Sequence, residues 1–94
     1  MLINPSLFPL GQVVVTMGAF EACKVVGQHI PTLIARHNRG DWGVLDDDDK
    51  ALNDEAVADG SRVLSAYDLS DGTKIYIITE ADRSSTTVLL PDEY

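Results

Sequence analysis

Eight carboxylates crowd the nineteen residues from Asp41 to Asp59: Asp41, Asp46, Asp47, Asp48, Asp49, Asp54, Glu55 and Asp59, against a single Lys50. This stretch carries seven of the chain's eight net negative charges. Carboxylates set this close suit three kinds of chemistry. They can lie in water at a helix start, accepting orphan N–H groups and complementing the positive end of the dipole. They can mimic phosphates and fill a basic groove meant for nucleic acid, with an attraction that steers association and weakens with salt. They can ligate calcium, but consecutive aspartates lack the alternating ligands and central glycine of a calcium loop. The first two readings stand. Under the second, the partner-contact candidates are Asp46, Asp47, Asp48, Asp49, Asp54, Glu55 and Asp59, with Trp42 as an anchor. From Lys24 to Arg39 the only charges are basic, Lys24, Arg36 and Arg39, with His29 and His37 joining them at low pH. The chain therefore carries a directional field that suits an electropositive partner.

His37, Asp41 and Trp42, within RHNRGDWG, form the most site-like cluster. The expected role of a histidine at a helix C-terminus is to complement the dipole when charged. Trp42 reads as a core plug or interface anchor rather than a substrate platform. Near the other end, Arg83 stands beside Asp82 and Ser84. It can hold an anion, or sit in a turn where Asp82 and Ser84 satisfy local N–H groups and Arg83 pairs with Asp82 or Glu80. No metal site is expected, because two histidines eight residues apart and one helical cysteine give no ligand spacing. No cofactor is expected either, since glycine-rich phosphate loop, nucleophile elbow and zinc-protease helix are all missing.

Composition bounds the answer. Ninety-four residues, 45% of them apolar, fit one domain with a modest core. The apolar runs fall far short of the ~20 residues of a membrane span. The opening Met1-Leu2-Ile3-Asn4-Pro5 lacks the basic start of a secretory signal. The lone Cys23, at core spacing on a helix, fits a reducing compartment, so a soluble cytoplasmic protein is expected. A net charge of −8 disfavours direct binding to nucleic acid.

The elements that must position these residues follow from local signals. Residues 1–10 read as an extended arm held by Pro5 and Pro9. Gly11 to Thr16 reads as a short strand. Thr16 then caps a helix that runs to Val26 and stops at Gly27, with Ala19, Phe20, Cys23 and Val26 or Val25 inward. Pro31 suits the first turn of a second helix, with Leu33 and Ile34 inward and Asn38-Arg39-Gly40 closing it. A third helix spans Asp47 to Asp59 and stops at Gly60, with Leu52, Ala56 and Val57 as a thin apolar face. Arg62 to Leu69 and Thr73 to Glu80 are strands of a hairpin turning at Asp71-Gly72. Thr86 to Leu90 is a third strand, stopped by Pro91. The fold class predicted is α+β, with a short N-terminal strand and two to three helices packed on a C-terminal three-stranded antiparallel sheet. The central strand, Lys74 to Thr79, is apolar on both faces, which also suits a homodimer through the sheet.

GDWG at 40–43, RVLSAY at 62–67 and KIYIITEADRSSTTVLLPDEY at 74–94 resemble small uncharacterised proteins of bacterial plasmids, phages and integrated elements. The resemblance covers most of the chain from Gly11 onward. It implies a mobile-element context, in which small acidic proteins often look like inhibitors of host defence, including anti-restriction and anti-CRISPR proteins. The order of helices before an antiparallel sheet also resembles small RNase toxins of the barnase, colicin D and RelE type. That resemblance implies metal-independent RNA cleavage, with His37 as general acid/base, Arg83 stabilising phosphate charge, and Thr79 or Thr87 positioning it. Those toxins are typically basic, and this chain is acidic. The leading expectation is a non-enzymatic interaction protein that engages a basic host surface; the alternatives are the RNase-like reading and a structural or regulatory domain.

Overall fold

The computed structural model of the chain describes residues 6–94. The first half of the arm, with Pro5 and the opening Met1 to Pro5, lies outside the described residues. In chain order the elements are β1 (Gln12–Val15), α1 (Met17–Val26), α2 (Ile30–Asn38), α3 (Asp47–Asp59), β2 (Val63–Asp68), β3 (Lys74–Thr79), β4 (Ser85–Leu89) and a 3-10 turn (Pro91–Glu93).

Local chemistry sets the helix boundaries. Thr16 Oγ1 accepts from the Ala19 N–H at 3.1 Å and opens α1, and Gly27 closes it in the left-handed region. Pro31 lies in the first turn of α2. Asp46 caps α3 and Gly60 ends it. Glu93 ties the C-terminus to the β1–α1 junction. One of its carboxylate oxygens accepts from Thr16 Oγ1 and from the Leu90 N–H, each at 2.7 Å. Those hydrogen bonds, the Leu90 one foremost, hold its carboxyl below the usual range.

The sheet has four strands in the order β1-β4-β3-β2, and this corrects the three-stranded antiparallel expectation. The hairpin β2–β3 and the pair β3–β4 are antiparallel, but β1 docks parallel to β4, from Gln12 beside Ser85 to Val15 beside Val88. A parallel partner needs a long crossover, and the three helices followed by the β2–β3 hairpin supply one. The pleat places Val63, Ser65, Tyr67, Ile75, Ile77, Thr79, Thr86 and Val88 on one face. Against this face α1 and α2 pack Ala19, Cys23 and Leu33. Burial raises the pKa of the Cys23 thiol, which suits an inert core residue. A second cluster joins Phe8, Trp42, Ala56 and Val63.

Two expected core positions shift. Phe20 is 46% exposed, because the inward line of α1 runs through Ala19 and Cys23 with Ala22 and Val26 at its flanks; of the pair Val26 or Val25, it is Val26 that packs on the core, and Val25 is 78% exposed. Leu52 is 61% exposed, and Asn53 takes the buried place on α3. Asn53 is buried because its amide closes the outer edge of β2, donating to Leu64 O at 2.6 Å and accepting from Leu64 N at 3.2 Å. Beside it, the Val44 N–H donates to Ala66 O and the Ala66 N–H to Trp42 O. One sheet edge is thus blocked. Among the described residues no strand pairs with the outer edge of β1, where Val13 and Val14 are each more than 40% exposed, so of the two edges this one is left for strand pairing between two copies.

Candidate functional site

The predicted site residues separate into carboxylates on the surface and a histidine at the centre. Every carboxylate of α3, and its cap Asp46, is exposed. Three of them have structural partners. Asp46 Oδ1 accepts from the Asp49 N–H at 2.8 Å, Asp54 Oδ1 from the Trp42 indole N–H at 2.9 Å, and Asp59 Oδ1 from the Ser61 N–H at 2.8 Å. Hydrogen bonding from Ser61 holds the Asp59 carboxyl below the usual carboxylate range. Asp41 stands apart from α3 and pairs with Arg36 at 2.7 Å, which lowers its pKa in the same way. The side chains of Asp47, Asp48, Asp49 and Glu55 have neither a hydrogen bond nor an ion pair among the described residues, whose ion pairs are Arg36–Asp41 and Lys74–Asp68. These four charges face water unneutralised.

Trp42 is not beside them on the surface. It is 4% exposed, stacked 6.4 Å from the Phe8 ring and edge-on 5.9 Å from His37. The expectation that it contacts a partner is corrected: it plugs the second cluster, and its indole N–H fastens Asp54, and with it α3, to the core.

His37 is fully buried. Its Nδ1 lies 2.5 Å from Ser65 Oγ and its Nε2 lies 2.9 Å from Thr79 Oγ1. Thr79 Oγ1 is 2.7 Å from Thr86 Oγ1, and the Thr86 hydroxyl donates to the Leu10 carbonyl at 2.7 Å. This chain of bonds assigns every proton. A carbonyl only accepts, so the single Thr86 hydrogen goes to Leu10, and Thr79 must donate to Thr86. Thr79 then accepts from the Nε2–H of His37, which leaves Nδ1 to accept from Ser65. A neutral imidazole satisfies the whole relay. Burial, assisted by the charge of Arg83, depresses the histidine pKa to about 4. The expected charged complement to the α2 dipole is therefore corrected: the ring points inward and is uncharged. Ser65, Thr79 and Thr86 are as buried as His37, so no substrate meets the imidazole in this fold.

The other RNase-like candidates do not converge on it. Thr87 pairs with Ile78 and points to the opposite face of the sheet from Thr79 and Thr86. Arg83 sits in the β3–β4 turn at φ +59, where the Ser84 N–H bonds Asp82 Oδ1 as expected of such a turn. Its guanidinium pairs with neither Asp82 nor Glu80 through their carboxylates. It donates to the carbonyls of Ala56, Ser61 and Glu80 at 3.0, 2.6 and 3.2 Å, and lies 5.4 Å from the Phe8 ring centre. The last turn of α3 has no basic residue of its own, so Arg83 supplies the cation at the negative end of that helix. Arg83→Ala is expected to lower stability by roughly 2–3 kcal/mol in urea denaturation, through lost charged hydrogen bonds. Arg83→Gly should be about 1 kcal/mol milder, because it relieves the left-handed backbone while losing the same contacts.

Ser65, Thr86 and Asn53 escaped the reading of the sequence. A signal was present for two of them: Ser65 and Thr86 are hydroxyls at inward positions of strands that are otherwise apolar, and an inward hydroxyl needs a partner. Among the described residues, no group of three His, Cys, Asp or Glu side chains is placed to hold a metal ion. No protein family, no curated protein and no solved structure matches this chain.

Proposed function

We propose that the chain is a non-enzymatic interaction protein of a bacterial mobile genetic element. In this reading α3 engages a basic surface on a host protein that handles nucleic acid, in the manner of an inhibitor of host defence, and acts in the cytoplasm. The observation that carries the reading is the set of four exposed carboxylates, Asp47, Asp48, Asp49 and Glu55, that lack a partner among the described residues. Asp47 to Asp49 occupy the positive end of the helix dipole, so the fold bears them cheaply while their outward field stays intact. Unneutralised charge of one sign attracts a partner of the other sign and sets its orientation. No helix among the described residues is long and apolar enough to cross a membrane.

The test immobilises the protein and a variant carrying Asp47→Asn, Asp48→Asn, Asp49→Asn and Glu55→Gln, then passes a bacterial extract over both at low salt. Basic nucleic-acid-binding proteins are expected on the wild type, released by moderate salt, and absent from the variant. Identical retention on both would defeat the reading. None of the four side chains holds the fold together, so circular dichroism should show the variant folded.

A further inference from the structure

Beside the unpaired carboxylates lies a depression of about 240 Å³ between α3 and the outer edge of β2, lined by Leu45, Asp49, Leu52, Asn53 and Leu64. We propose that it is the anchor pocket of the acidic surface, taking one apolar side chain from a partner segment that carries lysine or arginine on either side of that anchor. This inference rests on the reading of α3 as a partner-binding helix and names the kind of partner segment it takes.

Three observations carry it. First, Leu52 is 61% exposed although α3 has few apolar residues to give. With the partly buried Leu45 and Leu64, which line the same depression, it makes a local apolar surface, not an isolated side chain. Second, the floor has its polar groups engaged, since the Asn53 amide is held by both backbone groups of Leu64. An apolar group can therefore settle there without displacing a needed hydrogen bond. Third, the rim is anionic. On a helix, residues three and four apart share a face, so Asp48 and Asp49 stand one turn before Leu52 and Glu55 one turn after it.

Charge complementarity selects the occupant. An acidic peptide is repelled and a purely apolar one ignores the rim. A basic amphipathic segment satisfies both, with its apolar side chain in the depression and its cations over Asp48, Asp49 and Glu55. The volume falls below the ~300–1,000 Å³ of small-molecule sites, which suits a single anchoring side chain.

The experiment titrates the intact protein with two synthetic peptides of equal length and equal lysine content. One carries leucine at every third or fourth position and the other carries serine there. Wild type is expected to bind the leucine peptide about tenfold more tightly at low salt. Leu52→Ser, an exposed change that leaves the core alone, should bring the two peptides to parity while both still bind and still respond to salt. If Leu52→Ser keeps the tenfold preference, or if wild type has none, the pocket is not the anchor and the charge reading survives. If the fourfold variant, with Asp47, Asp48, Asp49 and Glu55 neutralised, binds both peptides as tightly as wild type, the charge reading itself falls and takes the pocket with it.

Discussion

Gly43→Ala is expected to destabilise the protein by roughly 3–5 kcal/mol, a large share of what a domain of this size has. Gly43 stands at φ +78, and a methyl group there would lie 1.8 Å from the Ala66 carbonyl oxygen and 2.8 Å from Tyr67 Cδ1. Both neighbours belong to β2, and neither is the free end of a flexible side chain. The 42–44 segment must therefore lift off the strand. Lifting it breaks the Val44–Ala66 and Ala66–Trp42 backbone bonds and uncovers the β2 edge. It also drags Trp42 from between Phe8 and His37, so the intrinsic fluorescence should shift toward the red. Gly60→Ala is the matched control. Its φ is +83 but nothing lies within 4 Å of the added carbon, so its cost should be about 1 kcal/mol, the left-handed backbone alone. Equal urea midpoints for the two variants would show that close approach at Gly43 does not hold the edge.

His37→Ala is the second large loss, also roughly 3–5 kcal/mol. It empties a site walled by Phe8 and Trp42 and leaves the Ser65 and Thr79 hydroxyls without their ring partners. The same residue sets a pH dependence. Its folded pKa is about 4 and its unfolded value about 6.5, so between these limits the unfolded chain binds more protons than the native one. The contribution of neutral His37 is complete above pH 6.5 and is lost as pH falls toward 4, by up to about 3 kcal/mol. Depressed carboxylates such as Asp41 lose their contributions at still lower pH. Denaturation midpoints measured from pH 7 to pH 4.5 should fall steadily in wild type. His37→Gln, which cannot titrate, should flatten that slope whatever its own stability. An unchanged slope would mean that another group controls this window.

The helices were legible because their ends are local events. Thr16, Gly27, Asp46 and Gly60 act within a turn of where they stand, and α1 and α3 begin and end at the residues their chemistry indicates. The hairpin was legible for the same reason, since Asp71-Gly72 makes its own turn. What could not be read is long-range. The parallel seat of β1 beside β4 joins residues more than seventy positions apart and leaves no mark in Val13 to Val15 themselves. His37 lies in the chain where a charged cap belongs, and only Ser65 and Thr79, 28 and 42 residues on, make it a buried neutral hub. Arg83 has the same character, for the helix end it serves is contributed by Ala56. On α3 the confusion was smaller. Leu52 and Asn53 are neighbours, and hydropathy favours the leucine for the core, whereas the open backbone of β2 needs an amide. A polar requirement at a sheet edge outranked apolar burial at that position, and the displaced leucine became part of the surface that α3 presents.

The salt dependence of affinity probes that surface without an intermediary. Binding of the host protein recovered from the extract should be titrated calorimetrically at several ionic strengths, with wild type and with the variant neutralised at Asp47, Asp48, Asp49 and Glu55. The wild-type association constant is expected to fall steeply as salt rises, because the four charges act through solvent, and the variant should bind weakly with a shallow slope. A wild-type affinity that does not change with salt, or a variant that reproduces the wild-type slope, would mean that the α3 carboxylates do not engage a basic partner.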